Sequence, residues 1–206
     1  MRVTEEIETV FVVDDDPSLR DALTLVLEDA GYHVQACPTA RDFLEACDER
    51  TAGCAILDIG MPDMDGLALQ RATVQRGIRL PLLFLTGQAD VPTAVRALKA
   101  GAMDFLEKPI SSDKLLERVR AALAVNAAQR EEARRRALLR GRLDRLTPRE
   151  REILTLVVGG LSSKEIGRRL NISFRTVEGH RRRIAEKART RSLPELAEMA
   201  RVCGLS

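Results

Sequence analysis

Five short apolar runs, at residues 7–13, 32–37, 53–58, 80–86 and 103–106, alternate with stretches of helical periodicity. The helical stretches fall at 17–30, 39–49, 65–76 and 92–100, and a fifth starts near Asp113. Strand–helix pairs joined by short connections predict a doubly wound parallel sheet with helices on both faces. Strands covered on both sides must be almost continuously apolar, as residues 53–57 and 82–85 are. Asp16 is placed to cap the first helix, with Pro17 at its first position and Gly31 closing it. The fold class expected for this half is α/β, a doubly wound parallel sheet of five strands.

Ligands of such open sheets bind outside the carboxyl ends of the strands. Here the first run ends in Asp14-Asp15-Asp16, the third in Asp58 and the fourth in Thr86, while the fifth leads into Lys108-Pro109. Each residue alone has an ordinary structural use, since an Asp after a strand caps a helix and a Lys-Pro makes a surface turn. Their joint placement at four strand ends describes a phosphate-accepting aspartate beside a divalent metal. An ion of the Mg²⁺ class takes about six oxygen ligands and keeps several waters, so one or two carboxylates suffice. In this reading Asp15 and Asp58 ligate directly, Asp14 acts through water, and the Gly60 carbonyl completes the set. Asp58 attacks as a carboxylate, and Lys108 and Thr86 meet phosphoryl oxygens.

The charge is divided. Residues 1–127 carry 13 Lys and Arg against 21 Asp and Glu, residues 128–145 carry 7 against 3, and residues 146–206 carry 13 against 7. That asymmetry separates two units with different partners and makes the basic one a candidate for nucleic acid. Between them, residues 121–139 read as a solvated helix with i, i+4 pairs at Glu131–Arg135 and Glu132–Arg136. Its apolar positions do not sustain three heptads, which argues against a coiled coil.

The last 60 or so residues predict four short helices, at 147–158, 163–170, 174–188 and 193–202. Thr147-x-x-Glu150 and Ser192-x-x-Glu195 both have the form of a capping box. Helix 163–170, the turn Asn171-Ile172-Ser173 and helix 174–188 make an all-α helix-turn-helix, with Ile166, Leu170, Ile172, Val177 and Ile184 as its buried stripe. On the other side, Glu178, Gly179 and Arg182 share a face that would meet base edges. Arg182 suits guanine, Glu178 suits cytosine, and Gly179 permits close approach. Lys164, Arg175, Thr176, Arg181 and Arg183 suit phosphates, which position without specifying sequence. His180 is expected to pack or touch a phosphate, not to bind metal.

No run approaches the roughly 20 apolar residues of a membrane span, and the acidic start Met1–Glu6 lacks a signal peptide's apolar stretch. A cytoplasmic location, with no membrane partner, is the expectation. Cys37, Cys47, Cys54 and Cys203 show no C-x-x-C spacing and lie in apolar segments, so buried thiols are expected, not a disulfide or metal site.

These motifs resemble a two-domain bacterial response regulator. The receiver-like ones are Val12-Val13-Asp14-Asp15-Asp16, Leu57-Asp58-Ile59-Gly60-Met61-Pro62-Asp63-Met64-Asp65-Gly66, Phe84-Leu85-Thr86-Gly87 and Gly101 through Pro109. The C-terminal part is similar to LuxR-type DNA-binding domains of the FixJ-like subgroup, through Leu146-Thr147, Arg149-Glu150, Lys164-Glu165-Ile166, Leu170, Ser173, Thr176-Val177, His180, Ile184 and Lys187. Gly167 departs from a usual Ala, at a helix-propensity cost of about 1 kcal/mol, and Ala188-Arg189-Thr190 departs from a usual Met/Leu-Gly pattern. The resemblance implies a receiver over 7–125, a helical linker over 126–142 and a DNA-binding domain over 143–206. It implies a protein that is not an enzyme in its own right and is phosphorylated on Asp58 by a sensor histidine kinase, with Mg²⁺ held by Asp14, Asp15, Asp58 and the Gly60 carbonyl. Thr86 would swing toward the phosphoryl group, Phe105 would turn inward, and Lys108-Pro109 would be cis. A homodimer through a surface including Val91, Val95, Arg96 and Lys99, a two-half-site DNA operator and RNA polymerase would be its partners.

Two other readings stand beside this one. A constitutive DNA binder would keep the helix-turn-helix with a receiver that works independently of phosphorylation. Alternatively, Asp14-x-Asp16 after a strand is similar to haloacid-dehalogenase-type phosphohydrolases, with Asp14 as nucleophile and Asp16 as acid. Ser18 stands where that pattern wants Thr or Val, and the pattern gives the C-terminal helices no role.

Overall fold

A computed structural model of the chain describes residues 7–87, 91–202 and 204. It divides into two compact units, Met1–Gln129 and Arg130–Ser206. Cys203 lies outside the described residues.

The first unit holds β1 (Thr9–Val13), α1 (Pro17–Asp29), β2 (His33–Cys37), α2 (Ala40–Ala46), β3 (Gly53–Asp58), α3 (Gly66–Gln75), β4 (Leu82–Thr86), α4 (Val91–Lys99), β5 (Asp104–Glu107) and the start of α5 (Ser112–Leu143). The five strands are parallel, in the order β2-β1-β3-β4-β5. Alternate side chains of each strand point to opposite faces, and this builds two cores. Phe11, Val13, Ala55, Leu57 and Phe84 pack with Phe43, Leu44 and Leu69 of α2 and α3. Val10, Val12, Ile56, Leu83 and Leu85 pack with Leu23 and Leu27 of α1 and Leu115 and Val119 of α5. The expected sheet is therefore present, with every residue of β3 and β4 buried.

Asp16 caps α1 as expected, accepting from the Ser18 and Leu19 amides. Cys37, Cys47 and Cys54 are free and buried, as expected. Burial pushes the Cys37 thiol up to about 11 and those of Cys47 and Cys54 up to about 12, so none is a thiolate near neutral pH.

One tie was not foreseen. Asn126 on α5 is 1% exposed; its Oδ1 accepts the Gly53 amide at 3.0 Å, and its Nδ2 donates to the Arg79 carbonyl at 3.3 Å. A single amide thus satisfies buried backbone groups at the amino end of β3 and in the segment leading to β4.

The second unit contains the end of α5, then α6 (Pro148–Val158), α7 (Ser163–Leu170), α8 (Phe174–Ala188) and α9 (Leu193–Val202). Its core gathers Leu143, Leu146, Ile153, Leu154, Ile166, Val177, Ile184 and Met199. The forecast stripe is buried at Ile166, Val177 and Ile184, while Leu170 and Ile172 are half-buried. Thr147 and Glu150 form the expected reciprocal capping box, and Ser162 with Glu165 forms another that sequence reading passed over. Ser192 does only half of what was expected. Its hydroxyl meets the Glu195 amide at 3.5 Å, but its own amide donates to Thr190 Oγ1 at 3.1 Å instead of reaching Glu195. Along α5, Glu132 pairs with Arg136 at 2.7 Å, but Arg135 pairs with Glu198 of α9 at 2.6 Å, not with Glu131. Packing brought a carboxylate from another helix within its reach.

Glu150 anchors this unit. It is buried beside Lys187 at 2.6 Å and Arg183 at 3.7 Å, and it accepts from the Thr147 amide. Burial by itself would raise its carboxyl pKa, but the hydrogen bonds and charge of Lys187 and the Thr147 bonds outweigh it and hold it below its usual value. A depressed folded-state pKa gives stability that is present above the unfolded value and is lost as pH falls through the folded one. Glu150→Gln is expected to lower the unit's unfolding free energy by about 2 kcal/mol at neutral pH, because Lys187 keeps some access to water. The gap to wild type should narrow below about pH 4.5, where the unfolded carboxyl is protonated. Urea denaturation at pH 7 and pH 3.5 reads this directly, and an equal gap at both pH values would refute it.

Gly167 also gains a structural reason. A Cβ there would sit 2.8 Å from the Ile172 carbonyl oxygen, where α7 meets its turn. The roughly 1 kcal/mol of helix propensity that alanine would recover is opposed by about 1–3 kcal/mol of overpacking. Gly167→Ala should therefore lower the melting temperature, and a rise would show that the turn yields. The α8 cap falls on Arg189 in the left-handed region (φ 59°), at the position where the expected pattern has glycine.

Candidate functional site

Strand register builds the first site. Val13 pairs with Leu57 across β1 and β3, so Asp14 and Asp58 leave the sheet side by side. Thr86 ends β4 against Glu107, one residue before Lys108. The Lys108 amide donates to the Thr86 carbonyl at 2.7 Å, and the Lys108-Pro109 bond is cis as expected. Lys108 Nζ then donates to Asp14 Oδ2 at 2.8 Å and Asp58 Oδ1 at 2.6 Å. Asp14 and Asp58 are buried, as is Thr86. The other Asp58 oxygen accepts the Gly60 amide, Asp14 Oδ1 accepts the Asp16 amide at 2.9 Å, and Arg20 holds the Asp14 carbonyl at 2.7 Å.

One ammonium therefore serves two buried carboxylates. Burial by itself lowers the pKa of Lys108, but the hydrogen bonds and charges of Asp14 and Asp58 outweigh it and raise it. Asp58 is thus held from both sides with its carboxylate at the strand end. Phe105 is half-buried on β5, its ring 6.3 Å from that of Phe84.

Asp15 follows Asp14 at the end of β1. It is exposed, and among the described residues no three His, Cys, Asp or Glu side chains gather so as to hold a metal ion. The chain turns at Asp15 and Asp16 to start α1, and Asp16 is occupied as its cap. The residues present still suit a Mg²⁺-class ion. Such an ion needs only one or two carboxylates beside its waters, and Asp14 and Asp58 already converge on one cation.

The second site lies on α7 and α8. Lys164, Arg175, Thr176, Glu178, Gly179, Arg182 and Arg183 are exposed and Arg181 is half-buried, opposite a buried line at Val177, Ile184 and Ala188. Ser173 caps α8 and bonds Thr176. Glu178 is engaged by the buried Ser163 hydroxyl, to which Arg181 also donates at 3.1 Å. Arg182 pairs with Glu186 at 3.1 Å, and Arg183 lies 3.2 Å from His180 Nδ1. Burial and the charge of Arg183 depress the His180 pKa, which keeps its ring neutral near pH 7. Ser163 and the exposed Phe174 were not singled out from sequence. Phe174 carried a signal, being the sole aromatic of residues 130–206.

On α4, Val91, Val95, Arg96 and Lys99 are all exposed, Val91 by 75%. Among the described residues no helix is long and apolar enough to cross a membrane.

Known proteins share this layout. The family described as "Response regulator receiver domain" matches residues 10–120, and that described as "Bacterial regulatory proteins, luxR family" matches residues 144–200. The chain is 43% identical to the transcriptional regulatory protein TdiR of Thauera aromatica over 94% of its length and 85% of the relative's. It is 39% identical to the transcriptional regulatory protein FixJ of Azorhizobium caulinodans over 96% and 93% of the two chains. Among solved structures it is similar to the response regulator StyR (38% identity, TM-score 0.84, covering 95% of this chain and 98% of that one). Full-length FixJ from B. japonicum is also similar (36% identity, TM-score 0.56, covering 97% and 98%).

Proposed function

This chain belongs to the two-component response regulators, in the FixJ-like group that joins a receiver to a LuxR-type DNA-binding domain, and from that premise we propose that it is a transcription regulator controlled by phosphorylation of Asp58. The observation that carries this reading is the pair Asp14 and Asp58 converging on Lys108 at the carboxyl ends of β1 and β3. The Asp58 carboxylate attacks the phosphorus of a phosphohistidine on a partner kinase. A P–O bond forms as the P–N bond breaks, and the imidazole leaves with the electron pair. Asp14, Asp15, Asp58 and the Gly60 carbonyl would hold Mg²⁺, which supplies positive charge against the phosphoryl oxygens. Lys108 follows the phosphoryl group, and Thr86 offers its hydroxyl to another oxygen.

The added charge of about −2 makes the pocket a switch. As Thr86 and Lys108 regroup, Phe105 turns inward and the α4 face carrying Val91, Val95, Arg96 and Lys99 changes shape to pair two chains. In this reading the receiver spans 7–125, residues 126–142 connect it, and 143–206 bind DNA. Two copies then meet two half-sites in the cytoplasm, with RNA polymerase as the downstream partner. Arg182, Glu178 and Gly179 face bases, while Lys164, Arg175, Thr176, Arg181 and Arg183 meet phosphates.

Sedimentation and DNA binding at matched salt, with and without beryllofluoride and Mg²⁺, test this. The expected outcome is a shift from monomer to dimer together with tighter operator binding. Identical mass and identical affinity in both conditions would favour a constitutive DNA binder instead.

A further inference from the structure

The chain has five Phe, one Tyr and no Trp. Phe11, Phe43 and Phe84 are buried in the first unit, and Phe105 packs against the same core. Phe174 stands apart. It is the first residue of α8, directly after the Ser173 cap, and the residue is 52% exposed. Burying a phenylalanine stabilises a fold by about 1.5–3 kcal/mol, and this one forgoes much of that while Ile172 beside it reaches the core. Helix formation does not explain it either, since Phe is a weaker helix former than Ala, Arg or Glu. Its surroundings are basic and polar: with Lys164, Arg168, Asn171 and Ser173 it lines an open cleft of about 500 Å³.

We infer that Phe174 reads sequence, its ring packing against the 5-methyl group of a thymine in the major groove. The inference rests on the DNA-binding reading above and extends it to a residue outside the polar contact set. Three observations support it. The amino-terminal end of a recognition helix is the part that meets base edges, and Phe174 is its first residue. Thymine is the base that shows an apolar group in the major groove, so an apolar side chain there has one partner to prefer. Lys164 and Arg168 on the cleft rim and Arg175 next in sequence supply cations for the flanking phosphates, which hold the ring in register. The Ser173–Thr176 hydrogen bonds fix the helix start from which the ring projects.

The test uses the full-length chain with beryllofluoride and Mg²⁺. A duplex selected by wild type from a random-sequence pool is remade with each thymine in turn replaced by deoxyuridine, which removes only the methyl group. At one position of each half-site the wild-type affinity should fall about fourfold per half-site, the value of one buried methyl-sized group. Phe174→Ala should bind the thymine duplex weakly and be indifferent to uracil at that position, while Phe174→Leu keeps most of the discrimination. The uracil series on wild type alone needs no altered protein, so a folding defect in a variant cannot mask the outcome. If wild type selects a sequence but no thymine methyl matters, or Phe174→Ala loses the same factor on both duplexes, Phe174 is not a thymine reader and DNA binding stands. If wild type selects no sequence, or Arg182→Ala binds as tightly as wild type, the DNA-facing assignment of α8 falls too.

Discussion

Asp58→Asn is expected to take up no phosphoryl label from acetyl phosphate in Mg²⁺, under conditions where wild type labels readily. The physical reason is local. Asp58 is the buried acid whose two oxygens are presented by Lys108 and the Gly60 amide at the end of β3. An asparagine keeps the shape but lacks the anionic nucleophile, and without attack no acyl phosphate forms. The fold should survive, because Lys108 retains Asp14 as a partner at 2.8 Å. Circular dichroism matching wild type, alongside absent label, is the predicted combination. Undiminished labelling would move the nucleophile to another carboxylate and defeat the Asp58 assignment. Chelation of Mg²⁺ should suppress wild-type labelling, since two carboxylates and one ammonium leave the incoming phosphoryl oxygens short of positive charge.

The second large effect is on stability. Gly53 opens β3 with φ 137°, and a Cβ built there would lie 1.8 Å from the Thr9 carbonyl oxygen and 2.7–2.8 Å from that residue's C and N atoms. Nothing flexible can give way, because the Thr9 amide is bonded to the Ala52 carbonyl and the Gly53 amide to Asn126. Gly53→Ala therefore adds backbone strain of about 1–3 kcal/mol to overpacking of similar size. A total near 4 kcal/mol is a large part of the stability of a typical domain. Gly31→Ala is the control: its φ of 87° is also positive, but no atom stands within 4 Å of the added carbon. It should cost only about 1 kcal/mol. Urea denaturation of the two variants separates collision from conformation, and equal costs would mean that β1 and β3 move apart to admit the methyl group.

Much of this was legible before any coordinates. The strand at 53–58 and the helix expected at 17–30, observed as Pro17–Asp29, were readable because continuous apolarity, Asp16-Pro17 and Gly31 are local signals acting within a few residues. The pocket was readable because parallel strands in one sheet end on the same edge, so Asp14, Asp58 and Lys108 had to approach one another. Asp15 is exposed where Asp14 and Asp58 are buried, because the chain turns there into α1, and spacing along the sequence did not distinguish the three acids. Arg135 was given to Glu131 by helical spacing, but α9 supplies Glu198. Asn126 had no local signal at all, since its partners lie 73 and 47 residues away.

Residue pattern alone determined the order of strands and helices, the division into an acidic and a basic unit, and the residue types at each strand end, because these follow from periodicity and charge along the chain. Only tertiary structure decided that Lys108 bridges Asp14 and Asp58, that Ser163 holds Glu178, that a Cβ at Gly53 or Gly167 would crowd a backbone carbonyl oxygen, and that one phenylalanine is left outside a core. Those outcomes depend on which backbones and side chains approach within a few ångströms after folding. Distances of that kind are set by packing between segments remote in sequence, so no local spacing encodes them.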